Sequence, residues 1–238
     1  MAFVLVFGTL SHSASAAALQ VSPVTIELPA TAATTQLTLH NLGDTPVNAQ
    51  IRVYQWTQQA GADQLTPSTD VVASPPAATL DPHQDYTVRL VRVSKQPVMA
   101  EETYRLLVDE LPSAPTADNT ASNIRFVVRY SVPVFFIPAN TAAKLTWTAA
   151  VSNGHLSVSL QNDGTQHVRV SRLNVEGPSG MNVSFGEGLV GYVLPHSIMR
   201  WISQSATKGL AAGAPLNITA EGNNGPIGAK AVLQTGNN

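Results

Sequence analysis

The chain has 238 residues, 44% hydrophobic and 12% charged, with a net charge of −2 and no cysteine. That balance excludes a disordered chain, a basic protein drawn to nucleic acid or anionic membrane, and any disulfide, thiolate metal site or cysteine nucleophile. With 16 prolines and 16 glycines among Val, Thr and Leu, short strands joined by turns are favoured over long helices.

Residues Ala2–Leu10 form an apolar run of nine, well short of the roughly 20 that a membrane-spanning helix needs. Small residues follow, and Ala14-Ser15-Ala16 has the small-x-small pattern that fits signal peptidase. No Lys or Arg occurs before Arg52, so the positive flank that ordinarily precedes such a run is missing. The pattern predicts an export signal over 1–17 with a shortened n-region, a mature chain from near Ala17 or Ala18, a periplasmic location and no membrane insertion. The competing reading of this run is a buried N-terminal strand.

From there apolar residues recur with period two. Leu37 and Leu39 alternate, then Val47, Ala49, Ile51 and Val53, then Val88 and Leu90, then Tyr104, Leu106 and Val108. Ile124, Phe126, Val128, Tyr130 and Val132 make the longest alternation. Turn chemistry separates these runs at Asn41-Leu42-Gly43-Asp44, Asp81-Pro82, Leu111-Pro112 and Ile137-Pro138-Ala139-Asn140. A second series follows Pro138, with Leu145, Trp147 and Ala149, then Leu156, Val158 and Leu160, then Val168 and Val170. Two sets of strands predict an all-β chain of two sandwiches, over 18–137 and 138–238.

Most catalytic motifs fail on context. Gly186 to Gly191 spells G-x-G-x-x-G, but Tyr192-Val193-Leu194-Pro195 cannot open the helix whose amides would meet a pyrophosphate. The six histidines show no metal-ligand spacing, and Gly177-Pro178-Ser179-Gly180 reads as a turn. The doublets Glu101-Glu102 and Asp109-Glu110 send neighbouring side chains to opposite faces of a strand, so neither forms an acid/base pair by itself. No enzyme, cofactor, metal or nucleic-acid partner is expected.

Six of the 13 cationic residues (Arg89, Arg92, Lys95, Arg105, Arg125 and Arg129) fall between positions 89 and 129. The strand over 124–132 has an apolar face opposite one carrying Arg125, Val127, Arg129 and Ser131. Two readings fit it: ordinary core, or an edge whose apolar side chains and free amides are lent to a partner.

The runs Tyr104–Pro112 and Ile124–Pro138 resemble the F1 and G1 strands of periplasmic pilus-assembly chaperones of the chaperone–usher pathway. Leu160-Gln161-Asn162-Asp163-Gly164, Gln166-His167-Val168-Arg169, Gly191-Tyr192-Val193-Leu194-Pro195 and Arg200-Trp201 agree in order and spacing. The resemblance spans residues 18–235 and is nearest the archaic, spore-coat-U-type branch. It implies two immunoglobulin-like β-sandwich domains in a boomerang, pilin subunits and an outer-membrane usher as partners, and a donor strand completing each pilin. The donor residues it implies here are Ile124, Phe126, Val128 and Tyr130. The competing function is a secreted two-domain adhesin or carbohydrate-binding module.

This sequence departs from the best-known members at their anchor for the subunit's terminal carboxylate. The G1 lysine position is Pro133, Ser22-Pro23-Val24-Thr25-Ile26 carries no base, and the arginine that supports the domain junction is replaced by Ile137. Pairing Glu110 near Ile124 places Arg105 opposite Arg129 at the mouth of the cleft. Arg105, then Arg129, then Arg92 are therefore the expected anchors. The stretch Ser113–Asn123 is expected to be a flexible connection before a short donor strand.

Overall fold

The computed structural model of the chain describes residues 18–112, 127–207 and 210–234. Residues 1–17, the stretch Ser113–Asn123, Ile124 and Phe126 lie outside these. Among the described residues no helix is long and apolar enough to cross a membrane.

The first half forms β1 (Leu19–Ser22), β2 (Ile26–Pro29), β3 (Thr34–Asn41), β4 (Val47–Gln59), β5 (Ala62–Pro67), β6 (Val71–Ser74), β7 (Ala77–Leu80), β8 (Asp85–Arg92), β9 (Glu102–Leu111) and β10 (Arg129–Ile137). One sheet runs β1-β3-β8-β6; the other runs β2-β10-β9-β4-β5, with β7 added on β4. The alternating residues Leu37 and Leu39, Val47, Ala49 and Ile51, Val88 and Leu90, and Tyr104, Leu106 and Val108 all bury into the space between them. Each Val, Leu or Ile among them contributes roughly 1.5–3 kcal/mol on burial, which is why the pattern of each strand fixes the face it turns inward.

The second half forms β11 (Leu145–Ser152), β12 (His155–Asn162), β13 (Val168–Glu176), β14 (Asn182–Ser184), β15 (Leu189–Val193), β16 (Ser197–Ala206), β17 (Pro215–Gly222), β18 (Gly225–Pro226) and β19 (Ala229–Gln234). Strand β19 pairs with both β17 and β11, so the sheet is continuous around a core that includes Trp147, Leu160, Val170, Leu173 and Ile218. The glycines from Gly186 to Gly191 lead into β15, a strand and not a helix.

Both halves turn the same corner with an asparagine. Asn41 Nδ2 donates to the carbonyls of Thr45, Leu80 and Asp81 while its Oδ1 accepts from Gly43 N. Asn162 does the same with Gln166, Val193 and Leu194, and accepts from Lys144 N and Gly164 N. A buried amide is tolerated because its donors and acceptor are all used. At Gly164 a Cβ would stand 2.3 Å from Ala142 O, so the corner closes only around glycine.

Strand β10 departs from expectation. The alternation predicts a strand over 124–132, whereas the described ladder begins at Arg129 and continues to Ile137. Its partner β9 ends at Leu111, and the next residue, Pro112, has no N–H with which to extend the ladder. The register differs as well: Arg129 faces Asp109, and Arg105 faces Pro133 instead of Arg129.

Candidate functional site

The site begins with the edge of β10. Glu110 N donates to Val128 O at 3.0 Å, so the even-numbered residues exchange bonds with β9. The N–H and C=O groups of Arg129 and Ser131 therefore point the other way. On that side β2 pairs in parallel with Val134–Ile137 only. Over Arg129–Pro133 no described strand covers the edge. Pro133 sits where a missing N–H leaves no ladder bond unmade.

Side chains beside this open edge are graded. Val132, Val134 and Phe136 are buried in the first core, while Val128 and Tyr130 are only partly covered and pack against it. The Tyr130 hydroxyl donates to Leu19 O at 2.7 Å, which ties the strand to the opposite sheet. Of the four expected donor residues, Val128 and Tyr130 thus lie on the inward face beside the free edge; Ile124 and Phe126 fall outside the described residues.

The outer face of the same sheet carries the charges. Arg105 on β9 stands between Tyr54 of β4 and Pro133 of β10. Its guanidinium carbon lies 3.6 Å from the Trp56 ring centroid and 5.5 Å from that of Tyr192, and its side chain is 14% exposed. Burial lowers its pKa from the ordinary arginine value, with Asp63 and Tyr192 opposing. A cation pinned on an indole keeps its outward donors available for a planar anion.

The other two expected anchors are elsewhere. Arg129, 62% exposed, pairs with Asp109 beside Arg52, whose Nη2 lies 2.5 Å from the same carboxylate. Burial pushes the Asp109 carboxyl up, but the hydrogen bonds from Arg129 and Arg52 outweigh it and hold the group below the usual range. Arg92 forks onto Glu102 at 2.7 and 2.8 Å and donates to Ser94 O at 2.8 Å. Neither joins Arg105 in the cleft: the observed register sets Arg129 opposite Asp109, four residues along β9 from Arg105, and Arg92, on β8 of the other sheet, is taken up by Glu102.

The second half closes one end of this face. Trp56, Phe135, Tyr192 and Leu194 form a buried cluster between the two sandwiches, with Ile137 against it. His167 stacks on Phe135 at 3.5 Å, and both its Nδ1 and its backbone N contact the Glu101 carboxylate, which is fully buried. Arg169 N donates to Asn223 Oδ1, turning the Asn223 amide toward His167 Nε2 at 3.3 Å. Glu27 Oε1 stands 3.7 Å from the same Nε2, so His167 is flanked by a carboxylate at each ring nitrogen. Gln58 adds a polar pin: it donates to Tyr192 O and accepts from Leu194 N, both at 2.9 Å.

The motifs quoted from the sequence include His167, Tyr192 and Leu194 but assign none of them to a joint, and Trp56 and Phe135 are not assigned there either, although a signal exists. Trp56 has the opposite parity to Val47–Val53, and Phe135 lies between inward-facing Val134 and Phe136. Large apolar side chains on the face away from the core mean that something covers that face.

Residues 18–142, more than half of the chain, match the family described as pili and flagellar-assembly chaperone, PapD N-terminal domain. The chain belongs to this chaperone family. Solved structures sharing its fold include the CsuC–CsuE chaperone–tip adhesion subunit pre-assembly complex from archaic chaperone–usher Csu pili of Acinetobacter baumannii. That match has 24% identity and a TM-score of 0.66, and covers 93% of this chain and 100% of the other. The YadV chaperone matches at 18% identity and a TM-score of 0.63, over 91% and 100%. The SafA pilin–SafB chaperone complex of Salmonella enterica matches at 14% and 0.62, over 91% and 98%. At these identities the likeness is one of fold, and it covers both immunoglobulin-like sandwiches of the chaperone. Comparison with curated proteins yields no match.

Proposed function

We propose that this chaperone works in the periplasm, where it captures pilin subunits lacking a strand and delivers them to an outer-membrane usher. The donor is β10 with the residues leading into it: Ile124, Phe126, Val128 and Tyr130 fill alternate pockets of the subunit while the free backbone edge supplies the ladder. The observation that carries this reading is that no described strand covers the edge over Arg129–Pro133, beside an apolar row that is only partly buried. Arg105 is the proposed anchor for the subunit's terminal carboxylate, since the cleft supplies a desolvated guanidinium with its plane already fixed. The matched complexes that hold a pilin or a tip subunit, and the family's name, favour a pilin as the partner. Likeness to a Csu chaperone complex favours the archaic branch.

Co-expression with a candidate pilin tests the reading. The wild-type chain is expected to yield a stable one-to-one complex. Phe126→Asp and Val128→Asp are each expected to lose the complex while keeping the wild-type circular dichroism, with a modest drop in thermal midpoint for Val128→Asp, since Val128 packs against the first core. A pilin that folds equally well without the chaperone, or full capture by both variants, overturns it.

A further inference from the structure

Asp63, on β5, is the one acidic side chain within 4 Å of Arg105 among the described residues, with Oδ2 at 3.9 Å from Nη2. At that separation the charges attract but no hydrogen bond forms. Its other oxygen, Oδ1, accepts from Gln58 Nε2 at 2.9 Å, and the same nitrogen donates to Tyr192 O across the joint. Asp63 is thus held beside the cationic cleft by a residue pinned to the second sandwich, and Arg105 is held from below by Trp56. In this arrangement the fork is left incomplete, and Asp63 remains 44% exposed.

We propose that Asp63 is an internal stand-in for the partner's carboxylate, guarding Arg105 against free anions until a chain docked on β10 brings its own. This rests on the anchor role given to Arg105 above. A diffusing carboxylate must approach Arg105 past a fixed negative charge. One carried by a segment already paired along β10 arrives at high effective concentration and can make the two parallel bonds that Asp63 leaves unmade. Asp63 on this account selects for how the carboxylate is delivered and not only for its charge.

The test uses the whole chaperone, labelled with nitrogen-15, titrated with sodium acetate at constant ionic strength and with acetamide as the uncharged control. The Arg105 Nε–H and Trp56 indole N–H resonances report on the cleft. Asp63→Asn is expected to lower the apparent acetate dissociation constant by about fivefold or more, with no response to acetamide. Arg105→Ala introduced into Asp63→Asn should remove the acetate response. Equal acetate binding by wild type and Asp63→Asn, or a response in neither, overturns the stand-in. Pilin capture by Arg105→Ala is measured in parallel. If capture is unchanged while Asp63→Asn still opens the site to acetate, the pilin-anchor reading fails and the guarding of Arg105 against anions stands.

Discussion

Trp56 fixes the plane of Arg105, and that constraint decides what a substitution there removes. Arg105→Ala is expected to weaken pilin binding by roughly 2–5 kcal/mol if the charge pair is desolvated in the complex. Lys230→Ala, an exposed residue of β19 in the second sandwich, serves as the control. Arg105→Lys should recover only part of the loss, because an ammonium cannot fork onto both carboxylate oxygens; calorimetric titration with the pilin distinguishes the three. Asp109 makes a different prediction. Its folded pKa lies below the unfolded value, so its contribution is present above about pH 4 and is lost as pH falls through the folded value. Asp109→Asn is therefore expected to cost about 1–2 kcal/mol at pH 7, discounted for the exposure of Arg129, and progressively less as pH falls through the folded value. Urea midpoints across that range measure it. The cationic character of this region was visible in the sequence; which arginine meets which acid was not.

Strand β10 shows why. Alternation from Ile124 to Val132 specifies which residues share a face, and Val128, Tyr130 and Val132 do share the inward one. Alternation is blind to a slip of four residues, because an even slip preserves every face. The expected pairing and the observed one, with Arg129 on Asp109 and Pro133 on Arg105, differ by such a slip. What sets the true register is where β9 runs out at Pro112 and where the ion pairs of Asp109 close, and neither is periodic. The free edge has its own test. Ser131→Pro deletes a backbone donor that no described strand uses and leaves the β9 ladder untouched. It should impair pilin capture while shifting the thermal midpoint little, since edge positions tolerate proline; capture and melting measured on one preparation decide it. A large drop in the midpoint would mean that the Ser131 amide is needed within the chaperone itself.

At the level of the whole molecule, the two series of alternating residues on either side of Pro138 made two sandwiches legible. The joint between them was not, because Trp56, Phe135, His167 and Tyr192 are far apart in the chain and follow no common period. Phe135→Ala strips the joint without opening the first core, and is expected to cost about 3–5 kcal/mol. The two sandwiches should then melt at separate temperatures, seen in calorimetry as a van't Hoff enthalpy well below the total. The order β2-β10-β9-β4-β5 has a further consequence for assembly. At the far end of that sheet, β5 carries Asp63 and closes with Pro67, and Gly61 before it bridges to Met199 of β16. Charge, proline and a neighbouring domain are what discourage strand addition. A sheet receptive at both ends could hold two subunits at once; with one end blunted, loading under the proposed function stops at one subunit per chaperone.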